Sequence, residues 1–209
     1  NYLQKEQGYI VGNYHKSFKV PAQQPMPIVL IPEQLNFLIT NKEFELSLNP
    51  YLRRAKDICV FGCTVGLRYS DLVRMKKRNI IYSNNEATLV LFTQKTGSEI
   101  KIPLPGYILD IVYKYRHKAG QYILPRLSST NINLQLKKLI KMAGWDHMVP
   151  KNISCKGKMI ELKKETGTWK FHDHITAHTM RRTAITTLLI MGVPETIVRK
   201  ISGHSPGSK

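Results

Sequence analysis

Apolar residues recur at helical spacing along most of the chain. Near the start, Leu35, Leu38 and Ile39 follow Pro32 and Glu33. Proline and glutamate are typical of a helix's first turn, and spacings of three and four place the apolar side chains on one face. We therefore predict a helix that begins at about residue 32. The same pattern predicts further helices at about 50–64, 107–117, 131–143, 179–191 and 194–201. One more helix is predicted to begin after an N-cap at Ser70.

A second pattern, alternation of apolar and polar residues, marks one short region. Residues 89–93 are rich in strand formers, 96–98 read Thr-Gly-Ser, and Ile100, Ile102 and Leu104 alternate with polar residues. Two such segments around a glycine turn predict a β-hairpin. Residues 147–172 are less regular and suggest a second, basic hairpin. The predicted fold class is mainly α with a small antiparallel β-sheet, an α+β domain.

The first residues differ in composition from the rest of the chain. Residues 1 to about 27 include the proline-rich, polar stretch "KVPAQQPMP", which is typical of a linker. We expect residues 1–27 to be a linker or the tail of a further N-terminal domain, and 28–209 to form one domain. The chain also lacks a signal-peptide pattern and any apolar run near the ~20 residues that span a bilayer.

The cysteines change little in this picture. Cys59 and Cys63 lie four residues apart, on one face of the helix predicted at 50–64, and Cys155 is distant in sequence. An odd number without framework spacing is not typical of a disulfide scaffold. We predict that Cys59 and Cys63 are small core residues, as expected in a reducing cytoplasm.

Charge is the feature that points to a partner. The 209 residues carry 32 Lys and Arg against 14 Asp and Glu, a formal net charge of +18. Such an excess favours a polyanion, because neutralised phosphates release their counterions. Nucleic acid is the partner that the composition favours.

Cutting a DNA strand without a metal requires a defined set of groups. Two guanidiniums hold the phosphate, an acid protonates the leaving oxygen, and a base assists the nucleophile. His178 and Arg181 lie at i and i+3 near a predicted helix start, and Arg68 precedes another start. Lys95 lies at the hairpin turn and His204 follows the last helix. Each residue taken alone also fits a helix cap or a solvated surface position.

The order of these residues along the chain is more specific. "GLRYSDL", a hairpin lysine, "HTMRRT" and a final "GH" follow one another, and this order resembles the tyrosine recombinase/phage integrase family. The resemblance covers about residues 28–209. "GCTVGLRYSDL" and "QKTGSEIKIPL" also resemble integrases of mobile elements from Bacteroidetes. The resemblance implies the catalytic-domain fold of these DNA breaking-rejoining enzymes.

The resemblance also implies roles for five residues. Arg68 and Arg181 would clamp the scissile phosphate. Lys95 would act as general acid on the leaving oxygen. His178 would assist proton transfer at the nucleophile, and His204 would hydrogen-bond a phosphate oxygen. Substitution of either arginine by alanine is expected to abolish cleavage with little loss of fold.

Further residues are expected to support this site. Asp71 would steady Arg68 or His178. The remaining basic candidates are expected to contact the DNA backbone: Arg182, Lys101, Lys156 and Lys163.

The implied chemistry is site-specific recombination through a covalent 3′-phosphotyrosyl intermediate, without metal or other cofactor. The partner would be double-stranded DNA at a recombination site, with tetramer assembly on it, in the bacterial cytoplasm at the nucleoid. In this family the nucleophilic tyrosine follows the Gly-His turn, and no tyrosine follows His204 here. We expect the catalytic domain to be truncated before it, and the fragment to bind DNA without forming the covalent bond. Tyr69 and Tyr122 are expected to be packing residues or DNA contacts.

Two other classes of protein remain open from the residues. "TTLLIMGVPETIVRKIS" resembles a helix-turn-helix with Gly192 in the turn, which would make the chain a non-catalytic DNA-binding module or a decayed integrase. Alternatively, His172, His174 and His178 could serve a metal hydrolase, since His174 and His178 have i, i+4 spacing.

Overall fold

The computed structural model describes residues 5–8, 26–84, 86–155 and 158–203. The chain divides into two compact units. The larger comprises Pro27–Val149 and Lys170–Lys209, and the smaller comprises Asn1–Met26 and Pro150–Trp169.

The larger unit is mainly helical. Its helices, in chain order, are α1 Pro32–Thr40, α2 Lys42–Ser47, α3 Pro50–Val65, α4 Tyr69–Leu72, α5 Gly106–Lys114, α6 Ser129–Met142, α7 Phe171–His174, α8 Ala177–Ile190 and α9 Glu195–Ser202. A 3₁₀ turn, Lys77–Asn79, leads into the sheet.

The sheet of the larger unit has three antiparallel strands in the order β1-β2-β3. They are β1 Ile80–Ser83, β2 Glu86–Phe92 and β3 Glu99–Leu104. Strands β2 and β3 form the predicted hairpin, and β1 was not predicted. Its Ile80 pairs with Leu89, which pairs in turn with Ile102. All three side chains are buried, so the alternation seen in the sequence gives the sheet one apolar face.

The smaller unit contains the second hairpin, as predicted. Strands β4 Lys151–Cys155 and β5 Lys158–Leu162 pair antiparallel. Their side chains are largely exposed. The Lys151 Nζ lies 4.4 Å from the centre of the Trp169 ring, a cation–π contact that supplies some of the order that a core would otherwise provide.

Helix α3 forms the centre of the core. It begins with Pro50 and with the Asn49 side chain, which accepts a hydrogen bond from the Leu52 N–H at 2.9 Å. Cys59 and Cys63 are buried on it at 1% and 3% exposure, which confirms that they are small core residues. α3 packs closely on α8, because Gly62 leaves room for Met180.

Some predicted boundaries were wrong. Ser70 is not an N-cap, because α4 begins at Tyr69 with Arg68 at the N-cap position. The helix predicted at 107–117 ends at Lys114. The Tyr115 hydroxyl donates a 2.8 Å hydrogen bond to Asp57, a tertiary contact that sequence periodicity cannot register. The prediction of a mainly helical domain with a small antiparallel sheet is confirmed.

Candidate active site

One cavity of about 500 Å³ brings together three of the predicted site residues. Arg68, His178 and Arg181 all line it. They come from the N-cap of α4 and the first turns of α8. The rest of the lining consists of Tyr69, Ser129, Asn133, Thr176 and Ala177.

The start of α8 orients two of these side chains. Its i, i+3 spacing places His178 and Arg181 on one side of the helix. The Ala177 N–H donates a 2.8 Å hydrogen bond to Asn133 Oδ1 on α6. The first residue of α8 is therefore tied to α6, and His178 follows it directly.

Arg181 is buried, with 4% of its surface exposed. Its Nη1 donates to the carbonyl oxygens of Gly66 at 3.0 Å and Ser202 at 2.5 Å. These carbonyls belong to the C-terminal ends of α3 and α9, where the negative end of the helix dipole favours a cation. Burial, followed by the charge of Arg68, lowers the pKa of Arg181 to about 10. The guanidinium therefore keeps its charge at neutral pH.

Arg68 is half-buried and reaches the same end of α9. Its Nη1 donates to the Gly203 carbonyl oxygen at 3.1 Å. The two arginines thus hold the last turn of α9. His204, which follows Gly203, lies outside the described residues.

Gly203 also connects α9 to the hairpin that carries Lys95. Its φ of 64° is left-handed, and an added Cβ would lie 2.7 Å from Thr93 Cγ2. Thr93 directly follows β2 and lies two residues before Lys95. Lys95 itself is exposed on the turn and is not part of the cavity lining.

Asp71 has a different partner from the predicted one. Its carboxylate is buried, and Oδ1 accepts a 3.0 Å hydrogen bond from the Gln94 N–H. No ion pair joins it to Arg68 in the part of the chain that the structure describes. Asp71 therefore anchors the turn beside Lys95. Its negative charge also raises the pKa of Arg181, which opposes the lowering caused by burial and by the charge of Arg68.

Of the other predicted basic contacts, those that the structure describes are not among the residues that line this cavity. Arg182 and Lys163 are exposed. Lys101 is exposed on β3, with its Nζ 3.5 Å from Glu99. Lys156 lies outside the described residues.

Sequence reasoning missed three polar residues of the cavity, Thr176, Ser129 and Asn133. Ser129 and Asn133 lie in the first turns of α6, whose N-cap Ser128 accepts a hydrogen bond from the Asn131 N–H. A capping serine signals a helix start in a sequence, but it gives no sign that this end faces Arg181.

The cavity combines fixed positive charge with an imidazole. Burial lowers the pKa of His178, and the charges of Arg182, Arg181 and Arg68 lower it further. A neutral imidazole beside two guanidiniums suits a tetrahedral dianion or a phosphodiester, because the arginines supply charge and the imidazole accepts a proton.

The family profile described as "Phage integrase family" matches residues 30–209. The chain belongs to the phage integrase family. The match covers the arginine of α4, the hairpin and the His-x-x-Arg sequence of α8.

Solved structures show the fold of this integrase-family chain. The XerH site-specific recombinase bound to difH substrate is 15% identical, with a TM-score of 0.60 over 87% of this chain and 48% of that one. A lambda integrase tetramer bound to a Holliday junction is 18% identical, with a TM-score of 0.56 over 97% and 54%. The Tn1549 transposon integrase with circular intermediate DNA is 18% identical, with a TM-score of 0.55 over 88% and 59%. The predicted fold, that of tyrosine recombinase catalytic domains, is confirmed.

This chain spans about half the length of the XerH and lambda integrase chains that it matches. A comparison with curated protein sequences gave no significant match. Among the described helices, none is both long and apolar enough to cross a membrane.

The two other classes of protein left open by the sequence were a helix-turn-helix module and a metal hydrolase. The helix-turn-helix module is not favoured, since Val198 of its second helix is buried at 2% exposure. For the metal hydrolase, the described ranges contain no group of three His, Cys, Asp or Glu placed to hold a metal. His174 Nε2 lies 2.9 Å from the Val149 carbonyl oxygen, whereas His178 lines the cavity.

Proposed function

We propose that the protein is a site-specific DNA recombinase that cuts and rejoins DNA strands through a covalent 3′-phosphotyrosyl intermediate. The observation that carries this proposal is the cavity shared by Arg68, His178 and Arg181. Two guanidiniums and an imidazole on rigid helix ends form a site for one phosphodiester group. Membership of the phage integrase family supports the same reading.

The roles follow from what each side chain contacts. Arg181 donates to the carbonyl oxygens at two helix ends, so its guanidinium is fixed in the lining of the cavity, where its positive charge suits a phosphate. Arg68 approaches the same cavity from α4. Together they would neutralise the charge that the phosphorus gathers as the nucleophile adds.

The proton transfers are assigned to three groups. The tyrosyl oxygen attacks phosphorus as its proton passes to His178, and the P–O5′ bond breaks as Lys95 protonates the leaving oxygen. Lys95 lies on an exposed turn, so we infer that the turn moves toward the DNA. His204 is assigned a hydrogen bond to a phosphate oxygen.

The proposed partner is double-stranded DNA, and the proposed setting is recombination of a mobile element. The similar solved structures support both, since they are recombinases and a transposon integrase bound to DNA, one of them as a tetramer. Assembly on DNA and a place at the bacterial nucleoid belong to the same proposal. The net charge of +18 favours both through phosphate contacts.

The covalent step is tested on the protein that carries whatever natural sequence follows Lys209. It is incubated with a nicked duplex that traps the cleaved strand, with EDTA present, and resolved on a denaturing gel. We expect a protein–DNA adduct in the wild type and none in Arg68→Ala. Lys163→Ala changes an exposed residue that is not part of the cavity lining and should only weaken binding. Equal adduct yields from wild type and Arg68→Ala would rule out the proposed site.

A further inference from the structure

A second cavity lies beside the turn that carries Lys95. It has a volume of about 420 Å³ and is lined by four cationic side chains, Arg74, Lys76, Arg78 and Arg126. Asp71 and Gln94 also line it. None of the four cations belongs to the set predicted from the sequence.

The charges around this cavity are not balanced. Within the described ranges, none of the four cations forms an ion pair with a carboxylate. Asp71 is the single acidic residue of the lining, and its Oδ1 accepts the Gln94 N–H. Cations that face one open space repel each other, and a bound anion relieves that repulsion.

The fold holds these cations in place from two directions. Arg74, Lys76 and Arg78 follow α4, and Arg126 precedes α6. Two backbone hydrogen bonds join these segments, from the Ile123 N–H to the Met75 carbonyl and from the Lys77 N–H to the Gln121 carbonyl, both at 3.0 Å. The cavity is therefore built by backbone pairing rather than by flexible side chains alone.

Arg126 is oriented before any ligand binds. Its guanidinium carbon lies 4.9 Å from the centre of the Tyr122 ring, and its Nη1 donates to the Tyr122 hydroxyl at 3.3 Å. Stacking of this kind reduces the freedom that the side chain would lose on binding. When one face of a planar guanidinium is stacked on a ring, the N–H groups along its edge point in a fixed direction and can hydrogen-bond an oxyanion.

We propose that this cavity binds one phosphodiester of the DNA backbone, separate from the phosphodiester in the active-site cavity. The inference rests on the proposed function, because it takes duplex DNA as the ligand. It adds a second fixed phosphate contact next to Gln94, and thus next to the turn that carries Lys95.

The test measures the salt dependence of duplex DNA binding for Arg78→Ala, Arg126→Ala and the double variant. Each neutralised phosphate contributes about 0.9 to the slope of log K against log salt. Each single change should weaken binding, and the double variant should lower the slope by about 1 in total, because both arginines contact one phosphate. A thermal melt of each variant confirms that the chain is folded.

The matched control removes equal charge outside the cavity, with Lys118→Ala, Lys141→Ala and their double variant. Both lysines are exposed, and their effects should be additive. The cavity assignment is overturned if the arginine variants bind as the wild type does, or if the double variant lowers the slope by about 2. Wild-type protein that does not bind duplex DNA would overturn the proposed function as well.

Discussion

Arg181 combines a catalytic assignment with a structural one. From the sequence, Arg181→Ala is expected to abolish cleavage with little loss of fold. In the structure its buried guanidinium holds the carbonyls of Gly66 and Ser202. Removing it leaves buried carbonyl groups without that donor, which costs on the order of 3 kcal/mol for two charge-assisted hydrogen bonds.

We therefore predict that Arg181→Ala unfolds at clearly lower urea concentration than the wild type. Arg182→Ala is the control, since Arg182 is adjacent in sequence and exposed. Its unfolding midpoint should match that of the wild type. Equal midpoints for both variants would show that the guanidinium does not hold the two helix ends.

His178 gives a prediction about protonation. Burial, followed by the charges of Arg182, Arg181 and Arg68, lowers its pKa below the ordinary 6.5. We predict that an NMR titration finds a His178 pKa below 6.5 in the free protein, so that more than half of the imidazole is neutral at that pH. Binding of duplex DNA should raise the pKa, because a phosphate offsets the arginine charges.

A charge-removal variant tests the cause of the His178 shift. Arg182→Gln should move the pKa upward, whereas Lys138→Gln on α6 should leave it unchanged. A His178 pKa at or above 6.5 in the free protein would contradict the burial of this imidazole beside the positive charges of Arg182, Arg181 and Arg68.

At the scale of elements, the end of α9 and the end of β2 meet at a single glycine. Gly203 has a left-handed φ, and its backbone lies against Thr93. An alanine there would be strained and would also overlap Thr93 Cγ2. This contact brings the residue before His204 next to the lysine hairpin.

We predict that Gly203→Ala lowers the free energy of unfolding by about 2 kcal/mol or more, from backbone strain together with the overlap. Gly97→Ala is the matched control, because Gly97 has a φ of 64° and open space around it. It should cost about 1 kcal/mol. Chemical denaturation of both variants measures the difference.

A second variant isolates the overlap from the strain. Thr93→Ser removes Cγ2, the nearest atom, and keeps the hydroxyl that lies 2.6 Å from Thr96 Oγ1. In the Gly203→Ala background this change should recover part of the stability. No recovery would mean that strain alone accounts for the loss.

At the scale of the whole larger unit, an ionic cluster joins three helices away from the active site. Lys114 Nζ lies 2.7 Å from Glu45 Oε1 and 2.8 Å from Asp57 Oδ2. Lys56 Nζ lies 2.8 Å from Glu45 Oε2. Partial burial opposes ionisation of Glu45, but hydrogen bonds from Lys114 and Lys56 outweigh it and lower its pKa from 4.5 to about 2.

This shift predicts how stability depends on pH. Below pH 4.5 the unfolded chain binds the Glu45 proton before the folded chain does, so the contribution of Glu45 is full above that pH and is lost toward pH 2. We predict that Glu45→Gln is less stable than the wild type at pH 7, and that the difference shrinks as the pH falls. Thermal unfolding across this range measures it.

The control for this prediction is Glu43→Gln, an exposed carboxylate on the same helix. Its stability difference from the wild type should be small at every pH. A difference between Glu45→Gln and wild type that stays constant from pH 7 to pH 2 would contradict the assigned pKa.

Much of this molecule could be predicted from the sequence, because the signals are local. Apolar periodicity indicated most helices of the larger unit, and alternation with a glycine turn indicated the β2–β3 hairpin. The i, i+3 spacing of His178 and Arg181 and the order of the charged motifs predicted a set of site residues, of which Arg68, His178 and Arg181 line one cavity. The short elements α2, α7 and β1 were missed, because few residues define them and tertiary packing stabilises them.

The contacts that define the site were decided by tertiary structure alone. Asn133 meets Ala177 across 44 positions, Arg181 meets Gly66 across 115, and Arg68 meets Gly203 across 135. Asp71 likewise anchors Gln94 rather than Arg68. Local periodicity specifies which face of a helix is apolar, whereas the partner of a polar side chain depends on which helix ends the packed core brings together.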